Sequence, residues 1–433
     1  MKTVELDYAG KSDLLRFPNS MQVEIAMPNT LPTVTDEWAS IVDAIQNPIG
    51  CRRLRDQITP GQKVAIIVTD ITRKIPDGLI VQAVLDELGS AGVADADVKV
   101  VIATGLHRPN TEEEIAEMLG LEVPARVQVI NHVATDPSQL IALGTTRRGL
   151  PVVMNKHVVE ADIRIATGTI EPHKLAGYSG GVKTMSVGVA GKETIAGTHN
   201  LKVEHDPTTR LGVINNNLFR EYLTEIATFV RLDFIINVVQ NPEGKLVRVV
   251  AGHPRTAFED GVSTARMQCE VRVTGPADLV IAVPPYPKNR DVYQASRAMN
   301  SVIFGPEPVV NQGGTIVVPA PCQDGFGHQG VYDFLAGSPS PKALIERIWR
   351  EGMPVGGAPV AFKLANIMEM ADVYYTDCLI DRATIEGMHL KWAATVQDAI
   401  DSDIAGKDPR CVLIMPYATG TLPVFGEDGH VGM

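Results

Sequence analysis

Cysteine is scarce in this sequence, and what there is does not pair. Cys51, Cys269, Cys322, Cys378 and Cys411 are scattered, odd in number and never in a CxxC spacing, so neither a disulfide framework nor a thiolate zinc site is indicated. Long apolar runs are missing as well. No stretch nears the roughly 20 apolar residues a membrane helix requires. The N-terminal MKTVELDYAGKSDLLRF lacks the apolar core and small-residue cleavage site of a secretion signal. Positive charge is short: 39 Lys and Arg against 51 Asp and Glu leave a net charge of −12. That balance argues against a nucleic-acid surface, which needs clustered Lys and Arg. Low-complexity tracts and repeats with a period of about 20–50 residues are also absent. The expectation is a soluble cytoplasmic protein without a nucleic-acid or membrane partner, its oligomeric state left open.

What is present is ordinary globular material, 45% hydrophobic and 21% charged over 433 residues, too long for one ordinary domain. Short β-branched runs alternate with helical patterns, as in a parallel sheet flanked by helices. KVAIIVT at Lys63–Thr69, VKVVIA at Val98–Ala103, Arg126–Asn131 and DIRIA at Asp162–Ala166 read as strands. Helices are expected near Gly78–Ser90 and after Asn110, the second carrying Glu112–Glu114 in its first turn. A break at Thr274–Ala277 precedes a fresh series: Asp278–Val283, Thr315–Pro319 and Cys411–Met415. The fold class expected is α/β, with two Rossmann-like α/β domains at 1–275 and 276–410. The tail at 411–433 is free to return to the first domain. Open sheets of this kind place ligands at the carboxyl ends of their strands.

Several strand exits carry reactive groups. Ala103-Thr104-Gly105 leads to His107, and Ala166-Thr167-Gly168 leads to Glu171-Pro172-His173. Two histidines launched from similar exits suit a reaction run from both faces of one carbon, each serving as acid or base near neutral pH. Asp70-Ile71-Thr72-Arg73 follows the first strand. There Asp70 is suited to orient a histidine, and Arg73 to clamp a carboxylate. The block Thr167–Asn200 cannot be a plain helix or strand. Within it, Gly177, Ser179, Gly180 and Gly181 form a turn whose backbone N–H groups suit an anion, with Lys183 directly after. The spacing is not a Walker motif. His199 has no HxH or HExxH partner, so a metal there needs ligands from elsewhere. In the second domain Tyr293, Gln294 and Arg297 open a helix, with Tyr293 and Arg297 on one face as a carboxylate anchor.

DITR, ATGLHR, TGTIEPHKLAGYSGGVK and GTHN, in this order and spacing, resemble the nickel-dependent lactate racemase family. The likeness covers most of the first domain and reaches YQASR in the second. It implies two α/β domains with the site in the cleft between them. It implies a nickel pincer nucleotide, a pyridinium-3,5-bisthiocarboxylate mononucleotide carrying nickel, joined to Lys183 and with His199 as the fourth nickel ligand. His107 and His173 match the acid/base pair, and Asp70 the carboxylate beside the first. Arg73, Tyr293 and Gln294 match substrate-side residues. The implied reaction is racemisation or epimerisation of a small 2-hydroxy acid by reversible hydride transfer through a 2-keto acid.

Two positions depart from the family pattern. Arg297 stands where the family has lysine, and the residues after Lys183, TMSVGVAG, lack the proline expected before Gly188. Arginine differs from lysine in reach and donor geometry, which brings a sugar acid, malate or 2-hydroxyglutarate in beside lactate. The rival readings are a cofactor-free two-base racemase, a metal-dependent hydrolase or lyase using His199, and a non-catalytic carboxylate- or nucleotide-binding protein.

Overall fold

The computed structural model describes residues 1–426 apart from Val355 and Asp408. Among the described residues no helix is long and apolar enough to cross a membrane. Contacts divide the chain into two units: residues 30–209 with 213–268, and residues 1–29 and 210–212 with those from 269 onward.

In the first unit the apolar runs become β1 (Val64–Thr69), β2 (Val98–Ala103), β3 (Gln128–Asn131), β4 (Ile163–Thr169), β5 (Phe234–Gln240) and β6 (Leu246–Gly252). The strand order is β6-β5-β4-β1-β2-β3. All neighbours are parallel except β5 and β6, which are antiparallel. The central VAIIVT run is buried along nearly its whole length, as a parallel strand covered on both faces must be. From β1 the chain steps outward to β2 and β3, then returns to β4 on the opposite side. That reversal between β1 and β4 opens the crevice where such sheets bind ligands. The helix Asp77–Ser90 packs Ile80, Val84 and Leu88 into the same core as the strand residues Ile66, Val68, Val100 and Ile165. Helix Glu112–Leu119 starts on a capping box: Thr111 Oγ1 accepts from Glu114 N at 3.2 Å while Glu114 accepts from Thr111 N at 2.9 Å. Arg108 grips the same Glu114 with both terminal nitrogens at 2.7 and 2.6 Å, which ties the β2 exit loop to this helix.

The second unit repeats the plan with β7 (Ala277–Ala282), β8 (Val310–Pro319), β9 (Ala371–Thr376), β10 (Lys391–Ala393) and β11 (Cys411–Met415). These are all parallel, in the order β10-β9-β8-β7-β11, and Gln22–Ile25 completes the edge. The division therefore differs from the one expected. The run CVLIM is almost wholly buried and needs a parallel neighbour, which it finds on the open edge of β7 rather than in the first unit. Residues 1–29 join the same unit. Their hairpin, Lys2–Tyr8 with Lys11–Phe17, sends Leu6, Tyr8, Leu15 and Phe17 into the core of Leu279, Ile281 and Val412. Of the expected tail, residues 427–433 lie outside the described residues.

Candidate active site

The β1 exit is a tight turn. Arg73 N donates to Asp70 O at 3.0 Å, and the Asp70 carboxylate accepts from the amide (3.2 Å) and hydroxyl of Thr72, an arrangement to which aspartate is suited. The other carboxylate oxygen meets His107 Nδ1 at 2.5 Å. His107 is set by its own turn, its N–H donating to Thr104 O at 2.9 Å, and its ring is largely exposed. Burial pushes the Asp70 carboxyl upward, but hydrogen bonds from His107 and Thr72 outweigh it and hold the group below the usual range. A carboxylate acceptor at Nδ1 fixes the proton there and leaves Nε2 as the open basic atom. Among the described residues Nε2 of His107 has no hydrogen-bond partner.

His173 is held in the opposite sense. After β4 the chain makes a short ladder, Pro172–His173 against Gly177–Tyr178. His173 Nδ1 accepts from the backbone amides of Leu175 (3.2 Å) and Ala176 (3.1 Å). Two donors at Nδ1 put the hydrogen of the neutral ring on Nε2. Burial, then the cations of Lys183, Arg73, His199 and Arg220, hold its pKa well below the ordinary value. Between the histidines runs a chain of contacts: Arg73 shares the Asp70 turn, and its Nη1 donates to Glu171 Oε1 at 2.9 Å, two residues before His173. The second Ala-Thr-Gly lies inside β4 rather than beyond it. There Thr167 Oγ1 donates to the buried Asp77 at 2.6 Å.

Four backbone donors of the glycine-rich turn are taken up within the protein. Tyr178 N goes to Ala176 O (2.8 Å), Ser179 N to Glu171 O (2.9 Å), Gly181 N to Asn237 Oδ1 (2.8 Å) and Lys183 N to Gly180 O (3.3 Å). The Ser179 hydroxyl donates to Thr169 O at 2.7 Å. The glycines are required by close approach. A Cβ on Gly177, at φ +71°, would lie 2.1 Å from the Val213 carbonyl oxygen, and one on Gly181 would lie 3.0 Å from the Phe258 ring. Gly177 and Gly181 are thus needed to fold the turn that carries Lys183.

Lys183 begins the short helix Lys183–Ser186. Burial, reinforced by Arg73 and opposed by Glu171 and Asp70, lowers its amine to about 8, leaving a usable fraction of free amine near neutral pH. His199 ends the helix Lys192–Thr198. Its Nδ1 is 3.2 Å from Ile195 O and 2.9 Å from Thr198 Oγ1, so Nδ1 donates and Nε2 is free for a metal, as ligating histidines usually require. The ring is open to solvent on one side, yet the protein packed round it, then the Lys183 ammonium, hold its pKa down. Among the described residues no three His, Cys, Asp or Glu side chains are grouped to hold a metal, so a metal on His199 needs ligands from a bound group. The amine and the free imidazole nitrogen fit one that supplies them.

Phe219 and Arg220 escaped the sequence reading. Phe219 stacks on His173 (6.4 Å between centroids) and meets His199 edge-on (5.0 Å). Arg220 donates to Ala176 O (2.9 Å) and Tyr178 O (2.8 Å), bracing the His173 hairpin, and lies over the Phe258 ring. Both sit on an ordinary amphipathic helix, Leu218–Ala227, with no motif to flag them.

Tyr293, Gln294 and Arg297 belong to the other unit, in the segment after the β7 exit. The expected single helix is broken there: one α turn at Val292–Ala295 gives way to 3-10 geometry at Ser296–Met299. Tyr293 and Arg297 therefore do not keep the regular α-helical spacing. Asp291 caps the turn through Gln294 N at 2.7 Å, and Arg297 is exposed.

Comparison with known proteins agrees. The family model described as the lactate racemase N-terminal domain matches residues 8–212, and that of the C-terminal domain residues 273–419. Lactate racemase of Lactiplantibacillus plantarum is 29% identical over 392 residues, covering 89% of this chain and 91% of that protein. Lactate racemase of Thermoanaerobacterium thermosaccharolyticum is 33% identical over 310 residues, 71% of each chain. The apoprotein structure of a lactate racemase from the same organism superposes with a TM-score of 0.86 at 27% identity, covering 98% of this chain and all of that one. A Thermotoga maritima protein shares the fold at TM-score 0.64 and 16% identity, covering 92% of this chain and all of the other. The chain belongs to the lactate racemase family and is an isomerase of the racemase type.

Proposed function

We propose that the protein racemises or epimerises a 2-hydroxy acid, with His107 and His173 as the acid/base pair and a nickel pincer nucleotide as resident cofactor. Lactate heads the substrates, with longer and more polar hydroxy acids beside it because of Arg297. The observation that carries the reading is the opposed pinning of the two imidazoles. His107 is fixed through Nδ1 by the Asp70 carboxylate, His173 through Nδ1 by two backbone amides, and each presents Nε2.

Lys183 and His199 would hold the cofactor, the amine by a covalent link and the free imidazole nitrogen by ligation. When bound, the nickel-bearing pyridinium supplies a reversible acceptor for the α-hydrogen as hydride. The α-hydrogen of a hydroxy carboxylate is a poor acid, so such an acceptor suits it better than proton abstraction. The chain's own groups do the rest. His107 Nε2 takes the hydroxyl proton of one stereoisomer, and Asp70 stabilises the imidazolium that forms. His173, with its hydrogen on Nε2, would donate a hydrogen bond to the substrate oxygen on the other face. To take or return a proton there, its ring must first release the Leu175 and Ala176 amides so that Nδ1 carries the hydrogen. Arg73, held from behind by Glu171, has guanidinium nitrogens left for the substrate carboxylate. Tyr293, Gln294 and Arg297 are the further substrate-binding candidates, carried on the second unit.

The test loads the protein with mature cofactor and offers optically pure 2-deuterated hydroxy acids in ordinary water. The expected result is loss of optical purity with the deuterium retained, nickel bound, and added mass on Lys183. Lys183→Ala should remove the adduct, and His199→Ala the nickel. Washout of deuterium at the rate of racemisation would instead establish a two-base proton shuttle and end this reading.

A further inference from the structure

Cys322 and Cys378 are 56 positions apart in sequence, and the fold brings them together. They follow β8 and β9, adjacent parallel strands in register from Gly314↔Ala371 to Pro319↔Thr376. The ladder continues past both strands, through Ala320 N to Thr376 O at 3.1 Å and Leu379 N to Pro321 O at 2.9 Å. Each cysteine is thus the immediate neighbour of a residue in the second bond. The two thiols are near enough to shift each other's ionisation, Cys322 upward and Cys378 downward. Both are free cysteines, Cys322 buried and Cys378 partly exposed. Cys322 has a left-handed backbone, φ +48°, a conformation an L side chain adopts only when its surroundings impose it.

The surroundings here are the segment leading to Tyr293. Cys322 N donates to Asn289 O (3.1 Å), Asp324 N to Arg290 O (2.8 Å), Val292 N to Gly325 O (3.1 Å) and Tyr293 N to Phe326 O (3.2 Å). Arg290 clasps Asp324 with two nitrogens at 2.6 and 3.0 Å. Residues 322–326 and 289–293 are therefore zipped together, with the cysteine pair at one end of the zipper.

We propose that Cys322 and Cys378 form a dithiol site oxidised by hydroperoxides, and that its disulfide shifts the 289–293 segment and weakens binding of the hydroxy acid. The Cys322 thiol and the Ile380 amide favour the Cys378 thiolate against the cost of burial, and the same contact raises Cys322. Cys378, the more accessible, is the attacking thiol. Its thiolate bonds to a peroxide oxygen as the O–O bond breaks, giving a sulfenic acid and, after protonation, one water. Cys322 sulfur then bonds to Cys378 sulfur as the S–O bond breaks, releasing a second water. Two thiols are oxidised and one hydrogen peroxide is reduced to two waters; a dithiol reductant reverses it. The effect on binding rests on the racemase reading above, while the oxidation does not.

The experiment treats reduced, cofactor-loaded protein with one equivalent of hydrogen peroxide, caps residual thiols with iodoacetamide and maps the digest. Expected are a Cys322–Cys378 cross-linked peptide, an intact mass lower by two hydrogens, and a several-fold rise in KM with kcat little changed. Dithiothreitol should reverse all three. Cys378→Ser should abolish the cross-link and the KM effect, and Cys322→Ala should leave Cys378 over-oxidised instead of linked. Wild-type protein with no 322–378 link, or with the link no more abundant than links to Cys51 or Cys411, overturns the site. A formed link with unchanged KM overturns its coupling to binding. Loaded reduced protein that turns over no hydroxy acid defeats the racemase reading, and the binding effect with it, while the cross-link still reports on the thiols.

Discussion

Replacing Asp70 by asparagine tests the acid/base assignment at one atom. In the native turn the amide and hydroxyl of Thr72 both donate to one Asp70 oxygen, and the other oxygen meets His107 Nδ1. Asparagine keeps only one acceptor oxygen, and the two Thr72 donors claim it. The new NH2 group then faces His107 Nδ1, which must accept, so the ring hydrogen moves to Nε2 and the base is lost. Loss of a charge-assisted hydrogen bond costs about 1.5–3 kcal/mol, or about 10- to 150-fold in rate at about 1.4 kcal/mol per decade. The tautomer reversal adds to this, and the same change in a Ser-His-Asp triad costs roughly 10^4. The expected fall in kcat/KM is therefore about 10^2 to 10^4, read by polarimetry on cofactor-loaded protein, with nickel content and thermal unfolding unchanged. An Asp70→Asn enzyme within threefold of wild type would refute the orientation argument.

Two further outcomes concern the scaffold. Gly177→Ala puts a methyl 2.1 Å from the Val213 carbonyl oxygen at φ +71°, and overpacking plus a left-handed alanine should cost about 2–4 kcal/mol, read by urea unfolding; a cost below about 1 kcal/mol contradicts the packing role. Complete burial, partly offset by hydrogen bonds from Thr167 and Thr69, pushes the Asp77 carboxyl up to about 7. The folded state then keeps a proton the unfolded chain has lost. This contribution to stability is full below about pH 4 and is lost as pH rises to about 7, a change on the order of 4 kcal/mol. Asp77→Asn should flatten that part of the stability–pH curve, and an unchanged slope would show that Asp77 titrates normally.

The sequence by itself determined whatever local pattern can encode. Apolar runs such as VAIIVT and CVLIM must be buried strands, with Val98–Ala103 and Cys411–Met415 found at the expected bounds. The exits carrying Asp70 and His107 follow from where those runs stop, whereas β4 runs on through Thr169 before the chain reaches His173. Tertiary structure decided what depends on partners far along the chain. Whether the Ser179 and Gly181 amides are open to a ligand depends on Glu171 and Asn237, and no spacing within Gly177–Gly181 reports that. The helix with Phe219 and Arg220 looks like any amphipathic helix until it lies against two histidines. Cys322 and Cys378 meet only because β8 and β9 are neighbours. The first 29 residues join the second unit because Gln22–Ile25 pairs with β11 and the hairpin before it buries Leu6, Tyr8, Leu15 and Phe17 in that core. Periodicity records which face is buried; it does not record against what, and at this site the partner sets each group's chemistry.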